Sequence, residues 1–297
     1  TLAELTGFPS VMVVGNGYMA NLAWMSSLLQ RGTRLWMDRE NHASLWAGAQ
    51  LCRAKILRYG PVKDMDFTKD FSGELQQGDY WVSDGVFSMS GAKAPLRAIN
   101  AMLSRVQGHW ICDDSHGFAV LGRGLQGSLG HHGMAVEDCS LYMSGFGKAL
   151  GSYGAMLAGS KSIIAHIRAT ASSYIHSTAL PPALCAATEE AARLAFAADP
   201  LRVKLGSLRE YLHHQAKAMG ISLLPSMTPI QGVLLGCPEK ALQLSAYAES
   251  KGILFTAIRP PTVPEGQSIC RIILSARHEC RHIDQLLRTL KMGLQRQ

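Results

Sequence analysis

Short apolar runs alternate with stretches of helical periodicity over about the first 160 residues. Six runs have the length of buried strands: VMVV (11–14), TRLWMD (33–38), KILRYG (55–60), DYWVSD (79–84), HWICDD (109–114) and LYMSGF (141–146). Between them, apolar residues recur at helical spacing in 18–32, 42–54 and 94–106. This β-then-α alternation predicts an α/β fold whose mostly parallel central sheet carries helices on both faces.

The pattern changes after about residue 160. Residues 161–174 and 179–198 are helical with no strand between them, and Asp199–Pro200 is a candidate boundary. Beyond it we expect a smaller α+β unit of helices and short strands, at 201–220, 232–237, 253–258, 270–276 and from Arg281. The sequence therefore predicts a large domain over 1–199 and a small C-terminal domain over 200–297.

Composition narrows the class of protein. The chain of 297 residues is 47% hydrophobic and 17% charged, which is typical of a folded protein with a sizeable core. No apolar run reaches the length of a membrane span and no secretion signal opens the sequence, so we expect no membrane partner. The seven cysteines are odd in number and none forms a C-x-x-C pair, which favours reduced thiols in the cytoplasm.

The net charge of +7 allows several partners. The basic residues are spread along the chain rather than clustered, so we expect no nucleic-acid partner. A positive surface also suits an acidic small molecule or carrier, such as a coenzyme A thioester or an acidic carrier protein. The net charge alone does not distinguish these acidic partners.

Three short motifs suggest chemistry of different kinds. GNGYMA (15–20) lies between a strand and a helix like a dinucleotide fingerprint, and Asp38 ends the next strand, where a ribose-binding acid belongs. The same turn suits any phosphorylated cofactor, because a helix N-terminus offers N–H donors.

HECRH (278–282) has the spacing of a zinc site, but no third His or Glu follows it. We interpret it as a polar helix start. GFGK (145–148) lacks the leading glycine and the Ser/Thr of a P-loop.

Another group of residues is more specific because its members complement one another. Asp113 and His116 follow a buried strand, at the end where open α/β sheets bind ligands. Lys148 stands in the small-residue stretch SGFGKALGSYG (144–154), which leaves room for a bound group. With a phosphate cup at Gly17–Tyr18, these are the parts of a pyridoxal phosphate site: a Schiff-base lysine, a carboxylate for the ring nitrogen and a helix N-terminus for the phosphate.

On these residues the chain resembles the α-oxoamine synthases, a family of fold-type-I pyridoxal-phosphate enzymes. Further motifs of the family occur in its order and spacing: NGYMAN (16–21), DRENHASL (38–45), DGVFSMSGAKAPL (84–96), DDSHGFAVLGRG (113–124), SGFGKALGSYGA (144–155) and STALPPA (177–183). The resemblance implies a cytoplasmic homodimer with shared active sites. TAIRPPTVPEG (256–266) is most like the biotin-pathway member, which condenses L-alanine with pimeloyl-CoA or pimeloyl-acyl carrier protein and releases carbon dioxide and free thiol.

The resemblance also implies a role for each residue around the cofactor ring. Lys148 would be the Schiff-base lysine and His42 would stack on the ring face. Asp113 would pair with the pyridine nitrogen. His116 would contact the ring hydroxyl with help from Ser88.

The cofactor phosphate would be bound by residues from both subunits of the dimer. Backbone N–H groups of Gly17 and Tyr18 would bind it, together with Thr178 lent across the interface by the partner chain. The family usually has a hydroxyl residue three positions before the lysine, and here that position is Gly145. We expect Ser144 to replace it, at some cost in cofactor affinity.

The substrate would meet two further residues. Arg271 would hold its carboxylate, since a guanidinium binds a carboxylate in bidentate geometry, and Asp84 stands where the family usually has Glu. We also expect the chain to lack roughly the first quarter of a typical member, with its glycine-rich substrate loop and an arm that packs on the partner. Three other hypotheses stay open: a sister synthase using glycine or another acyl thioester, a cofactor-binding subunit without turnover, and an NAD oxidoreductase.

Overall fold

The computed structural model describes residues 1–62, 65–67, 71 and 73–296, and these form two compact units. The first unit takes in the described residues up to Phe87 and those of Lys93–Asp199. The second takes in Ser88–Ala92 and the described residues from Pro200 onward.

The described part of the first unit is built on a seven-stranded sheet. Its strands are β1 (Ser10–Val14), β2 (Arg34–Asp38), β3 (Lys55–Tyr59), β4 (Tyr80–Asp84), β5 (His109–Asp113), β6 (Leu141–Gly145) and β7 (Ala155–Gly159). They lie in the order β1-β7-β6-β5-β4-β2-β3. The five strands from β6 to β3 pair in parallel, while β7 runs antiparallel between β6 and β1. The mostly parallel sheet is confirmed, and β7 is the strand that the sequence pattern did not predict.

Helices cover this sheet. They are α1 (Leu2–Thr6), α2 (Gly17–Leu28), α3 (Ala43–Leu51), α4 (Leu96–Arg105), α5 (Gly127–His131), α6 (Lys161–Thr170), α7 (Ser172–Ile175) and α8 (Pro182–Phe196). The central strands β4 to β7 are buried at nearly every position, which shows that both faces of the sheet are covered.

The apolar core of the first unit holds α2 and α3 against the sheet. Trp24 on α2, Leu45 on α3 and Val82 on β4 are fully buried in one apolar cluster. Burying a side chain of this size stabilises a fold by about 1.5–3 kcal/mol. Asn16 starts α2 by accepting the Met19 N–H at 2.9 Å, as residues at a helix N-cap commonly do. Packing and capping together fix where α2 begins.

The second unit is a smaller α+β structure, as the sequence predicts. It contains α9 (Asp199–Ala218), β8 (Ile230–Gly236), α10 (Pro238–Glu249), β9 (Thr256–Ile258), β10 (Ser268–Ile273) and α11 (Cys280–Leu294). Its described strands form an antiparallel sheet in the order β8-β10-β9. The segment Ser88–Ala92 joins this unit, where the Gly91 carbonyl accepts the hydroxyls of Ser226 and Thr228 at 3.3 and 3.1 Å.

The HECRH motif forms the start of α11. The Glu279 N–H donates to His282 Nδ1 at 3.1 Å, and the Ser275 N–H donates to His278 Nδ1 at the same distance. One nitrogen of each imidazole thus serves the turn that opens the helix. Across the described residues, no helix is both long and apolar enough to cross a membrane.

Candidate active site

A cavity of about 360 Å³ opens at one edge of the first unit's sheet. The loops that line it follow the carboxyl ends of β1, β2, β4, β5 and β6, and these ends meet because the strands run in the same direction. The sequence-predicted residues that line it are Gly17, Tyr18, His42, Asp84, Asp113, His116 and Lys148. The fold thus brings most of the predicted site together.

One end of the cavity is the N-terminus of α2. Gly17 and Tyr18 are the first two residues of this helix, and Asn16 precedes them. The first N–H groups of a helix have no partner within it and carry a partial positive charge. This end of the cavity therefore suits an anion such as a phosphate.

Asp113, the last residue of β5, places a fixed carboxylate in the cavity wall. Its side chain is buried, and Asn21 Nδ2 donates to Oδ2 at 2.9 Å. The N–H and Oγ of Ser115 donate to Oδ1 at 3.2 and 2.7 Å. Three donors thus hold both oxygens, and a carboxylate held in this way suits a cationic ring nitrogen. The sequence pattern predicts Asp113 as a site residue but neither of the residues that hold it.

Asp84 lies beside Asp113, because the two residues are register partners on β4 and β5. The His42 N–H donates to Asp84 Oδ2 at 3.1 Å. Burial raises the pKa of Asp84 well above its ordinary value, and the negative charge of Asp113 raises it further. These effects favour a protonated Asp84, which can donate a hydrogen bond into the cavity.

Lys148 lies in the turn between β6 and β7. The Phe146 N–H donates to the Gly154 carbonyl at 2.9 Å, and the Gly151 N–H donates to the Lys148 carbonyl at 3.0 Å. Gly151 and Gly154 have φ angles of 59° and 106°, which glycine adopts most readily. The turn itself therefore requires these two glycines. The positive charge of Lys148 lowers the pKa of Asp84 and so offsets a small part of the effect of burial.

Ser144 does not line the cavity. Alternate residues of a strand face opposite sides of the sheet, and in β6 the cavity side is taken by Met143 and Gly145. Ser144 is fully buried instead, and its hydroxyl donates to the carbonyl of Gly145 at 3.4 Å. The structure thus corrects the expectation that Ser144 replaces the missing hydroxyl. Ser152, which the sequence pattern does not predict as a site residue, does line the cavity.

Three other predicted residues, Thr178, Arg271 and Ser88, are not among the residues that line the cavity. Thr178 is exposed, in the segment between α7 and α8. Arg271 lies on β10 of the second unit and donates from Nη1 to the carbonyl of Ser88 at 3.1 Å. Burial lowers the pKa of Arg271, and its buried Nε has no hydrogen-bond partner among the described residues. The roles given to these residues stay predictions.

The Asp38 side chain binds backbone groups near it in the fold. Its carboxylate is fully buried and accepts the N–H groups of Glu40 and Val62 at 2.7 and 2.9 Å. Asp38 is not part of the cavity lining. The acid that an NAD oxidoreductase would offer to a ribose is therefore engaged by the protein backbone.

The residues present fit pyridoxal phosphate. The cavity joins an anion-binding helix end, the carboxylate of Asp113, the imidazole of His42 and the amine of Lys148. A phosphate, a ring nitrogen, a ring face and an aldehyde each require one of these four features. The flanking glycines leave the backbone open to a ligand on the lysine side.

Known proteins resemble this chain over nearly its full length. The family model described as aminotransferase class I and II matches residues 2–290. The 8-amino-7-oxononanoate synthase of Alkalilimnicola ehrlichii is 39% identical over 290 residues, which are 97% of this chain and 74% of that protein.

Two solved structures share the fold. Serine palmitoyltransferase from Sphingomonas wittichii has a TM-score of 0.92 at 26% identity, covering 99% of this chain and 74% of that one. An 8-amino-7-oxononanoate synthase from Francisella tularensis has a TM-score of 0.86 at 24% identity, covering 99% and 85%. The chain therefore belongs to the aminotransferase class I and II family, and its resemblance to the α-oxoamine synthases is confirmed.

Proposed function

We propose that this chain uses pyridoxal phosphate to condense L-alanine with a pimeloyl thioester of coenzyme A or acyl carrier protein. The products are 8-amino-7-oxononanoate, carbon dioxide and the free thiol, in a step of biotin biosynthesis. The observation that carries the proposal is the cavity in which Lys148 meets the buried Asp113 carboxylate. The choice of alanine and a pimeloyl group is supported by the relative from Alkalilimnicola ehrlichii, which carries the name of that synthase.

Each part of the cofactor has a residue that would hold it. The N–H groups of Gly17 and Tyr18 would bind the phosphate, His42 would lie against the ring and Lys148 would bind the aldehyde carbon covalently. When bound, the cofactor supplies an electron-withdrawing ring that stabilises negative charge at the substrate Cα. The carboxylate of Asp113 would face the ring nitrogen and keep it cationic. Because Asp113 is already oriented before substrate binds, this stabilisation needs no rearrangement during the reaction.

Lys148 also moves the proton. With its amine free, the neutral Nζ of Lys148 would remove the proton from the alanine Cα as a general base. Asp84, which lines the same cavity, would lie beside the substrate. His116 would donate to a polar atom of the cofactor ring, with Ser88 as its predicted helper, and Arg271 would bind the substrate carboxylate.

We further propose that the protein is a cytoplasmic homodimer. Thr178 would reach the phosphate of the partner subunit, which agrees with its exposure here. Large apolar side chains are exposed on the adjoining helices, at Ile175 on α7 and at Leu194 and Phe196 on α8, as is common where a partner binds. All seven cysteines are free thiols, which favours a reducing compartment.

A sister synthase that condenses a different amino acid is the second candidate. The structural likeness to the serine palmitoyltransferase of Sphingomonas wittichii favours it. The two candidates share the cofactor and the lysine chemistry, so they differ in the amino acid and in the acyl chain. A cofactor-binding subunit without turnover would differ from both candidates because it would form no product.

The test is an assay of thiol release. Purified protein with pyridoxal phosphate and pimeloyl-CoA receives alanine, glycine or serine, and free coenzyme A is measured with a thiol-reactive dye. We expect release that depends on alanine, is lost in Lys148→Ala and persists in Lys161→Ala, since Lys161 is an exposed residue that opens α6. Faster release with glycine or serine would replace the proposal by the sister synthase. Release that ignores the amino acid, or none at all, would reject it.

A further inference from the structure

A chain of hydrogen bonds joins His42 to Asp113 through two buried side chains. Asn21 on α2 donates from Nδ2 to Asp113 Oδ2 and to Ser44 Oγ, each at 2.9 Å. Ser44 Oγ lies 2.8 Å from His42 Nδ1. Asn21 and Ser44 are at most 1% exposed, so water does not compete for these bonds. Two cavity residues from different elements are thereby tied together.

The Trp24 side chain fixes the direction of the hydrogen bonds in this network. Trp24 Nε1 can only donate, so its bond of 3.0 Å identifies the Asn21 atom that it meets as the amide oxygen. The two Nδ2 hydrogens of Asn21 then go to Asp113 and Ser44. Ser44 Oγ accepts one of them and keeps its own hydrogen for His42. The Ser44 N–H also donates to His42 Nδ1, at 3.3 Å.

Two donors therefore converge on His42 Nδ1, which must present its lone pair to them. A neutral imidazole whose Nδ1 is an acceptor carries its proton on Nε2. We propose that Asn21 and Ser44 are positioning residues that fix His42 as the Nε2–H tautomer and couple the orientation of its ring to the Asp113 carboxylate. The tautomer is a property of the chain itself, and only its effect on catalysis rests on the proposed function.

The effect on catalysis follows from the ring contacts of the proposed site. His42 would lie against the cofactor ring and Asp113 would face the ring nitrogen, so one chain of bonds aligns two contacts with the same ring. A misplacement of about 1 Å costs on the order of 100-fold in rate. For Ser44→Ala we expect kcat to fall by about tenfold to 100-fold, with KM for alanine changed by less than about threefold.

The tautomer is measured by ¹⁵N NMR on cofactor-free protein labelled at its eleven histidines. Spectra are recorded at about pH 8.5, where an ordinary imidazole is neutral, and the His42 signals are identified by their loss in His42→Gln. In the wild type we expect a bare acceptor Nδ1 and a protonated Nε2. Ser44→Ala loses the hydroxyl donor and keeps only the backbone N–H, at 3.3 Å, so it should give a mixture of tautomers. Asn21→Ala should do the same, although Asn21 reaches His42 only through Ser44.

Two further variants separate positioning from packing. Ser44→Thr keeps the hydroxyl and should keep the wild-type tautomer. Ser268→Ala is the matched control, because Ser268 is a fully buried serine of β10 whose hydroxyl has no partner among the described residues. It should leave the His42 signals unchanged.

The outcomes distinguish this inference from the proposed function. A folded Ser44→Ala protein with the wild-type tautomer overturns the inference, whatever the activity of that protein. If Asn21→Ala does not fold, the result for Ser44→Ala is sufficient. A mixture in Ser44→Ala that Ser44→Thr reverses supports it. A wild type without alanine-dependent thiol release overturns the proposed function and leaves the tautomer result standing.

Discussion

Asp114 follows β5 directly and is a buried carboxylate that the proposed reaction does not use. It is fully buried and accepts hydrogen bonds from the Ser128 N–H at 2.7 Å, from Ser128 Oγ at 2.5 Å and from the Tyr142 hydroxyl at 2.6 Å. Burial nevertheless raises the pKa of Asp114 from its ordinary value of 3.8 to about 6, because desolvation outweighs these bonds. The stability of the first unit should therefore depend on the protonation of this side chain.

The sign and size of the effect follow from the two pKa values. Between about pH 4 and 6 the folded chain binds this proton more tightly than the unfolded chain does, so stability falls as pH rises through that range. One pKa unit corresponds to about 1.4 kcal/mol, so the shift of Asp114 implies a loss of about 3 kcal/mol between about pH 4 and pH 7. Above about pH 7 both states are ionised and the loss is constant.

Asp114→Asn tests this directly because the amide can keep the same bonds. Its oxygen can accept from the Ser128 N–H and the Tyr142 hydroxyl, and its Nδ2 can donate to Ser128 Oγ. The variant should gain about 3 kcal/mol relative to wild type between about pH 4 and pH 7.

The assay is urea unfolding followed by tryptophan fluorescence. All five tryptophans lie between residues 24 and 110, so the signal reports on the first unit. Comparing variant with wild type at each pH cancels the titration of other groups that the two proteins share. A difference in stability that stays flat across this pH range would refute the assigned pKa.

Three further substitutions test the packing and chemistry of the site. Gly117→Ala should destabilise the first unit by about 1–3 kcal/mol in urea, because a Cβ there would overlap Asp114 Oδ1. Wild-type stability would contradict this. Gly145→Ser should fold, since its Cβ would meet Ser115 Oγ at an ordinary 3.7 Å. The added hydroxyl should tighten pyridoxal phosphate binding about fivefold by absorbance titration, and unchanged binding would count against a phosphate at this position. Asp113→Asn should lower kcat by at least about 100-fold while the cofactor still binds, whereas near-normal turnover would remove Asp113 from its role.

Most of the first unit's fold could be predicted from apolar runs. Strands such as β4 and β5 are buried on both faces and therefore have continuous apolar sequences. β7 was missed because AMLAG contains mostly small residues and directly follows the glycine-rich turn. Its place depends on antiparallel pairing with β1 and β6, for example of Val14 with Ala155, and a local pattern does not contain such distant contacts.

In the candidate site, too, local sequence patterns predict some residues, whereas others depend on contacts between distant parts of the chain. Lys148 and Asp113 could be found because each follows a recognisable strand. The network around Asp113 could not be found, because Asn21 lies 92 positions away in the sequence and meets it only in the folded chain. The misplacement of Ser144 was avoidable, since the alternation along β6 already puts it on the opposite face from Gly145.

That Lys148 holds pyridoxal phosphate covalently is tested most directly by reduction and peptide mapping. Protein equilibrated with the cofactor is treated with borohydride, digested and analysed by mass spectrometry. We expect one pyridoxyl phosphate group per chain, on the peptide that contains Lys148, and none on Lys148→Ala. A group attached to a different lysine, or an equal yield from Lys148→Ala, would contradict the proposed site.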